Sequence, residues 1–179
     1  LLYYGPTKEA DLDALVSKVH LTPKTLAPAP AAKEYTALRT TDNEVWIAPY
    51  DAKNIYLMML HNEGAKWNAD KAAIEALFNE YFGGGMNAIV FQELREARGL
   101  AYSASASYSR PARPQDDEMF FTYIITQNDK MMDCVNEFLN LLNNTPEREA
   151  NFKLAQQALI KSLATARTTK FGVLASYLR

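Results

Sequence analysis

The sequence predicts an α+β fold, a single mixed or antiparallel sheet with helices packed on one face. Strand-like and helix-like patterns intermingle along the chain without the strict βαβ alternation of a parallel sheet. Residues 101–109 alternate cleanly: Tyr102, Ala104, Ala106 and Tyr108 fall on one face, Ser103, Ser105, Ser107 and Ser109 on the other. Several later segments repeat their apolar residues at helical spacing, including Ile74, Leu77, Phe78 and Tyr81.

Leu1 to Tyr4 reads as a strand closed by Gly5-Pro6. Thr7 is placed to cap a helix with Leu12, Leu15, Val16 and Val19 on one side. Pro23, Pro28 and Pro30 make residues 21–32 an extended connection within the domain. Glu34 to Arg39, Glu44 to Tyr50 and Asn54 to His61 are strand candidates, the last two joined by a hairpin turn at Asp51-Ala52-Lys53. A helix from about Asn68 to Phe82 stops at Gly83-Gly84-Gly85, and a second, about Asn87 to Arg98, has Gly99 as its C′ residue. Ala101–Ser109 and Glu118–Gln127 are antiparallel partners across a Pro-rich loop. Val135, Phe138, Leu139 and Leu142 mark a further helix. Thr145-Pro146 opens another, with Pro at its first position and Phe152, Ala155, Leu159 and Leu163 on its apolar face, and Phe171 to Leu178 is a last helical piece.

At 179 residues the chain suits one domain spanning 1–179. Nineteen basic and 21 acidic residues leave a net charge of −2, without the clustered basic face that nucleic acid requires. No apolar run approaches the roughly 18–20 residues that cross a bilayer. The single cysteine, Cys134, excludes an internal disulfide and reads as a small, partly buried residue in a helix. The chain opens on a strand pattern without an initiating Met, and the expectation is a fragment of a longer polypeptide.

A catalytic zinc site takes three protein ligands, commonly two histidines one helical turn apart with a carboxylate or third histidine. Here His20 and His61 stand 41 positions apart, and neither belongs to an H-x-x-E-H or H-E-x-x-H pattern. Gly83-Gly84-Gly85 is followed by Met86-Asn87 where a phosphate loop needs Lys-Ser/Thr, so the run reads as a helix stop. Neither histidine has the neighbours of a Ser/His/Asp set, and a Cys134–His pair has no support in the spacing.

The informative stretch runs from Tyr81 to Ser103. It puts Arg95 in the last turns of a helix and Tyr102 at the start of the next strand, with Gly99 reversing the chain between them. Both side chains then belong to one end of the layer, where guanidinium and phenol donors suit a peptide carbonyl or an oxyanion. The plainer alternative sets Arg95 on Glu93 or Glu96 and packs Tyr102 on the sheet.

Gly-Gly-Gly-Met, then Phe-Gln-Glu-Leu-Arg-Glu, then Arg-Gly-Leu-Ala-Tyr-Ser strongly resembles the non-catalytic, C-terminal-type homologous domain of insulinase-like (pitrilysin) zinc metallopeptidases. The opening Tyr-Tyr-Gly-Pro and the Pro-rich connection resemble it too. The resemblance implies two homologous domains, or two such pairs, around a chamber. One domain carries zinc on H-x-x-E-H and a downstream Glu; the facing domain grips the substrate with an Arg–Tyr pair. Carried over, that pair is Arg95 and Tyr102. The zinc helix would correspond to Ala73–Phe82, which holds no histidine. The implied partners are a zinc-bearing homologous domain, on this chain or another, and a peptide; the implied cofactor is zinc in that partner and none here. Three glycines in place of a long Gly-rich loop disfavour the long-loop processing-peptidase subunit.

The resulting expectation is a substrate-binding domain of a zinc metalloendopeptidase, with no hydrolysis by these 179 residues alone even when zinc is added. Two alternatives stand beside it: a catalytically inactive scaffolding homologue of the same family, and a stand-alone module taking an extended peptide on its sheet edge. H-x-x-E-H elsewhere in the parent separates the first alternative from the main reading.

Overall fold

The computed structural model describes every residue except Leu1, Thr22, Ala32, Glu34, Pro114, Leu178 and Arg179. Two compact units are present, Leu1–Thr36 with Arg167–Arg179, and Ala37–Ala166. The first holds helix α1 (Glu9–Val19) and helix α6 (Lys170–Ser176), the latter capped by Thr169, whose hydroxyl accepts from the Gly172 N–H at 3.0 Å.

The second unit is an α+β layer. Its sheet, in the order β1-β3-β2, consists of β1 (Asn54–His61), β2 (Ala101–Ser109) and β3 (Met119–Gln127), and both pairings are antiparallel. Around it stand α2 (Ala72–Phe82), α3 (Ile89–Phe91) with a π-helical continuation Gln92–Ala97, α4 (Met131–Asn143) and α5 (Glu149–Thr165). The register puts Ala104 opposite Ile124 and Ala106 opposite Thr122. All four are buried, and Phe82, Ile89, Val90, Leu94 and Phe138 from the helices pack in the same core. Small residues on β2 let the helices approach closely; each large side chain removed from water there contributes about 1.5–3 kcal/mol. A run of ring contacts, Phe120–Tyr108–Phe78–Phe82–Phe138, crosses this core at centroid spacings of 5.0, 5.7, 5.1 and 6.3 Å. The opposite sheet face is open, with Tyr56, Met58 and Leu60 exposed along β1.

The outer edge of β2 is closed by α2. Asn79 exchanges two hydrogen bonds with the Tyr108 backbone, at 3.0 and 2.8 Å, as a neighbouring strand would. One turn on, the Ala106 N–H donates to the Gly83 carbonyl at 3.4 Å. A Cβ at Gly83 would fall on the Ala106 backbone, so the close approach requires glycine.

The structure corrects several expected elements. Leu2–Tyr4, Tyr35–Arg39 and Glu44–Tyr50 form no strand, and Leu1 and Glu34 lie outside the described residues. Strand-forming composition needs a pairing partner, and Val45, Trp46 and Ile47 are left almost wholly exposed, Trp46 at 88%. No hairpin therefore forms at Asp51–Lys53. Residues Leu38–Thr40 are instead tied to the end of β1 through Asn62, fully buried. Its side-chain amide donates to the Leu38 carbonyl at 3.0 Å and its N–H donates to the Thr40 hydroxyl at 2.9 Å. The same amide reaches Asp117, which also pairs with Lys66.

Helix α2 begins at Ala72 because the Asn68 side chain accepts from the Asp70 N–H at 2.9 Å and forms a local turn first. Helix α5 begins at Glu149, not at Thr145-Pro146. The Tyr81 hydroxyl donates to the Pro146 carbonyl and accepts from the Arg148 N–H at 2.9 Å, which holds this segment out of the helix. In α4 the buried positions are Cys134, Phe138 and Leu141, one step round from the expected face.

Candidate functional site

Arg95 lies within the π-helical segment Gln92–Ala97. The segment closes with the Gly99 N–H donating to the Arg95 carbonyl at 3.0 Å and the Leu100 N–H to the Leu94 carbonyl at 2.7 Å, each one residue wider than a usual Schellman ending. Gly99 takes φ +56°, the left-handed conformation that turns the chain straight into β2.

Tyr102 then sits on a β-bulge. Ala101 opposes Thr126 and Ser103 opposes Ile125, so Tyr102 is the extra residue between them. The bulge changes the expected facing. Ala101 joins Ala104 and Ala106 on the buried face, while Tyr102, expected to share it, is 73% exposed. Simple alternation gives no sign of a bulge, and the sequence reading missed it.

The structure brings the two side chains together. The Arg95 guanidinium carbon stands 5.5 Å from the centre of the Tyr102 ring and 4.9 Å from that of Phe91. A planar cation held against two π faces keeps its N–H edges in a restricted orientation. Glu96 is the carboxylate neighbour of Arg95 among the described residues, at 3.6 Å from Nε, beyond hydrogen-bond reach. Glu93 is taken by other arginines: Arg98 at 3.1 Å and Arg148 both reach its carboxylate, whose side chain is only 9% exposed. Arg98 also stands 2.9 Å from a Glu137 oxygen, a charge contact outside hydrogen-bond alignment. These pairings occupy Glu93, while Arg95 lies between the Phe91 and Tyr102 rings with Glu96 beside it. The sequence did not single out Arg98 or Arg148, although an arginine five residues after Glu93 was visible in it.

Tyr102 also forms part of the wall of a hollow of about 370 Å³ at the end of the sheet, with Asn54, Gln127 and Lys130. Asn54 and Gln127 are register partners across β1 and β3. Lys130 ends the 3₁₀ turn Asn128–Lys130 and donates to the Gly99 carbonyl at 3.0 Å, bracing the same turn that presents Tyr102. None of these three residues was identified from sequence, since only the fold places them beside Tyr102.

Among the described residues the two histidines do not come together as a zinc site would require. His20 belongs to the first unit and His61 ends β1, and both are exposed. Among the described residues no three His, Cys, Asp or Glu side chains are grouped to hold a metal. Cys134 is buried between α4 and the sheet, and burial pushes its thiol pKa up, so it is neither a ready ligand nor a nucleophile.

Residues 1–159 match the family described as the peptidase M16 inactive domain. Three solved structures share the fold. The peptidase M16 inactive domain from Pseudomonas fluorescens is 20% identical, with a TM-score of 0.53 over 65% of this chain and 28% of its own. A conserved protein from Enterococcus faecalis V583 is 20% identical, with a TM-score of 0.60 over 96% of this chain and 40% of its own. A protease from Helicobacter pylori is 17% identical, with a TM-score of 0.52 over 96% and 43%. The chain thus spans less than half the length of each. No curated protein sequence matches the chain.

Proposed function

Because the chain belongs to the peptidase M16 inactive-domain family, we propose that it is the substrate-gripping half of a zinc metalloendopeptidase, with Arg95 and Tyr102 as the gripping residues. An inactive domain in this family implies a catalytic counterpart. In this reading the counterpart carries the zinc and this domain supplies hydrogen-bond donors across a shared cavity. The observation that carries it is the 5.5 Å approach of the Arg95 guanidinium to an exposed Tyr102 ring.

The chemistry asked of these residues is modest and specific. Arginine keeps its charge at any working pH and offers donors in a rigid fork; the tyrosine hydroxyl adds one more. Aimed at a peptide carbonyl, they bind the backbone of an extended peptide whatever its sequence. The same donors strengthen as that carbonyl oxygen gains charge, so they favour the tetrahedral state over the ground state. The bulge at Tyr102 and the π-helical turn at Arg95 are features of the kind that re-aim side chains at functional sites.

Replacing Tyr102 with Phe in the intact protein leaves the ring and removes one donor. Turnover of a peptide substrate is expected to fall more than tenfold, a cost of at least about 1.4 kcal/mol. Unchanged kinetics would reject the role.

A further inference from the structure

Resting on that reading of Arg95 and Tyr102, we propose that the hollow beside Tyr102 is a carboxylate subsite, with Lys130 taking an acidic group of the bound peptide. Among the described residues its wall carries one formal charge, the Lys130 ammonium, and no acidic side chain. Lys130 is half-buried. Its ammonium spends one donor on the Gly99 carbonyl, and it belongs to none of the ion pairs formed among the described residues. An ammonium has three donors, so two remain for a ligand.

The rest of the wall is uncharged and offers further N–H donors. Asn54 and Gln127, paired across the end of the sheet, bring side-chain amides. Tyr102 stands in the wall as well as against Arg95, which makes the hollow continuous with the gripping pair. A volume of about 370 Å³ lies near the lower end of the range for ligand pockets, roughly 300–1,000 Å³, and accommodates a single side chain or a chain terminus rather than a large ligand. The shared chemistry is a peptide carboxylate, supplied by an Asp or Glu side chain or by a free C-terminus.

The test uses fluorescein-labelled alanine-rich peptides with a single Glu, or its isostere Gln, stepped along the sequence, and with a free or an amidated C-terminus. They are titrated by anisotropy into the intact protein that carries this chain, with cleavage arrested by a metal chelator where it occurs. One acidic position, or the free terminus, is expected to bind about three- to tenfold more tightly than its neutral counterpart, and which of the two does so identifies the source of the carboxylate. Lys130→Gln keeps a donor for the Gly99 carbonyl and removes the charge, so the preference disappears; Lys130→Arg retains it. If Lys130→Gln does not fold, loss of the wild-type preference in high salt reads the same charge. Arg95→Ala weakens every peptide by one common factor. If it weakens none while Lys130→Gln still erases the preference, the gripping role of Arg95 fails and the carboxylate subsite stands. Equal binding of every charged and neutral pair, or a preference that survives Lys130→Gln and high salt, overturns the proposal.

Discussion

The guanidinium of Arg95 lies against the ring of Tyr102, 5.5 Å from its centre, although the two side chains come from a helix and a strand seven residues apart. Three local departures from regular structure produce this meeting: the π-helical turn, the left-handed Gly99 and the bulge at Tyr102. With a regular pairing in place of the bulge, Tyr102 would share the helix-covered face with Ala104.

Gly83→Ala should destabilise the second unit by about 2–3 kcal/mol, because the new methyl meets the Ala106 backbone and the edge contact of β2 opens. A urea titration checks it. A midpoint within error of wild type would show that α2 does not close that edge.

Glu93→Gln leaves Arg98 and Arg148 facing a neutral amide in a largely enclosed position. Both arginines are about two-fifths exposed, so solvent offsets part of the loss, and we expect about 1–3 kcal/mol. Arg95→Gln, by contrast, should leave the denaturation midpoint nearly unchanged, since its carboxylate neighbour among the described residues, Glu96, is exposed and beyond hydrogen-bond reach.

Acid should weaken the Asn62–Asp117–Lys66 cluster. Hydrogen bonds from Lys66 and then Asn62 hold the Asp117 carboxyl below its ordinary range. Its folded pKa is therefore lower than its unfolded one. The contribution is fully present above the unfolded value, about pH 4, and is lost as pH falls through the folded value. Asp117→Asn should lower stability at neutral pH and flatten the decline toward acid. Parallel curves for the two proteins would remove Asp117 from the account.

Cys134 should be silent to thiol reagents in the native state. It is buried, and desolvation pushes its pKa up despite an opposing hydrogen bond with Thr126. Labelling with a disulfide-exchange chromophore is expected only after denaturant unfolds the chain. Rapid labelling in buffer would mean that the α4–sheet contact opens readily.

What the sequence revealed follows from where the determining forces lie. β2 was legible because alternation with Ser is a local record of a two-faced strand, and the body of β3 because a short run of apolar and β-branched residues fits a strand beside it. Gly99 was legible as a helix end for the same local reason. The start of α5 was not, because a tyrosine 65 residues away takes the Pro146 carbonyl. Nor was the exposure of Glu44–Tyr50, whose strand-like composition finds no pairing partner. At the site, Arg95 and Tyr102 stood out as a pair of donors around a reversing glycine. The bulge that exposes Tyr102 and the lysine beside it depend on register and packing, which spacing alone does not encode.

A double-mutant cycle on kcat/KM, made with Arg95→Ala and Tyr102→Phe in the intact protein, tests the gripping pair most directly. If both residues bind one carbonyl oxygen, each single change costs tenfold or more and the double change costs well under their product, a coupling of about 1 kcal/mol or greater. Two small and strictly multiplicative effects would contradict a shared target.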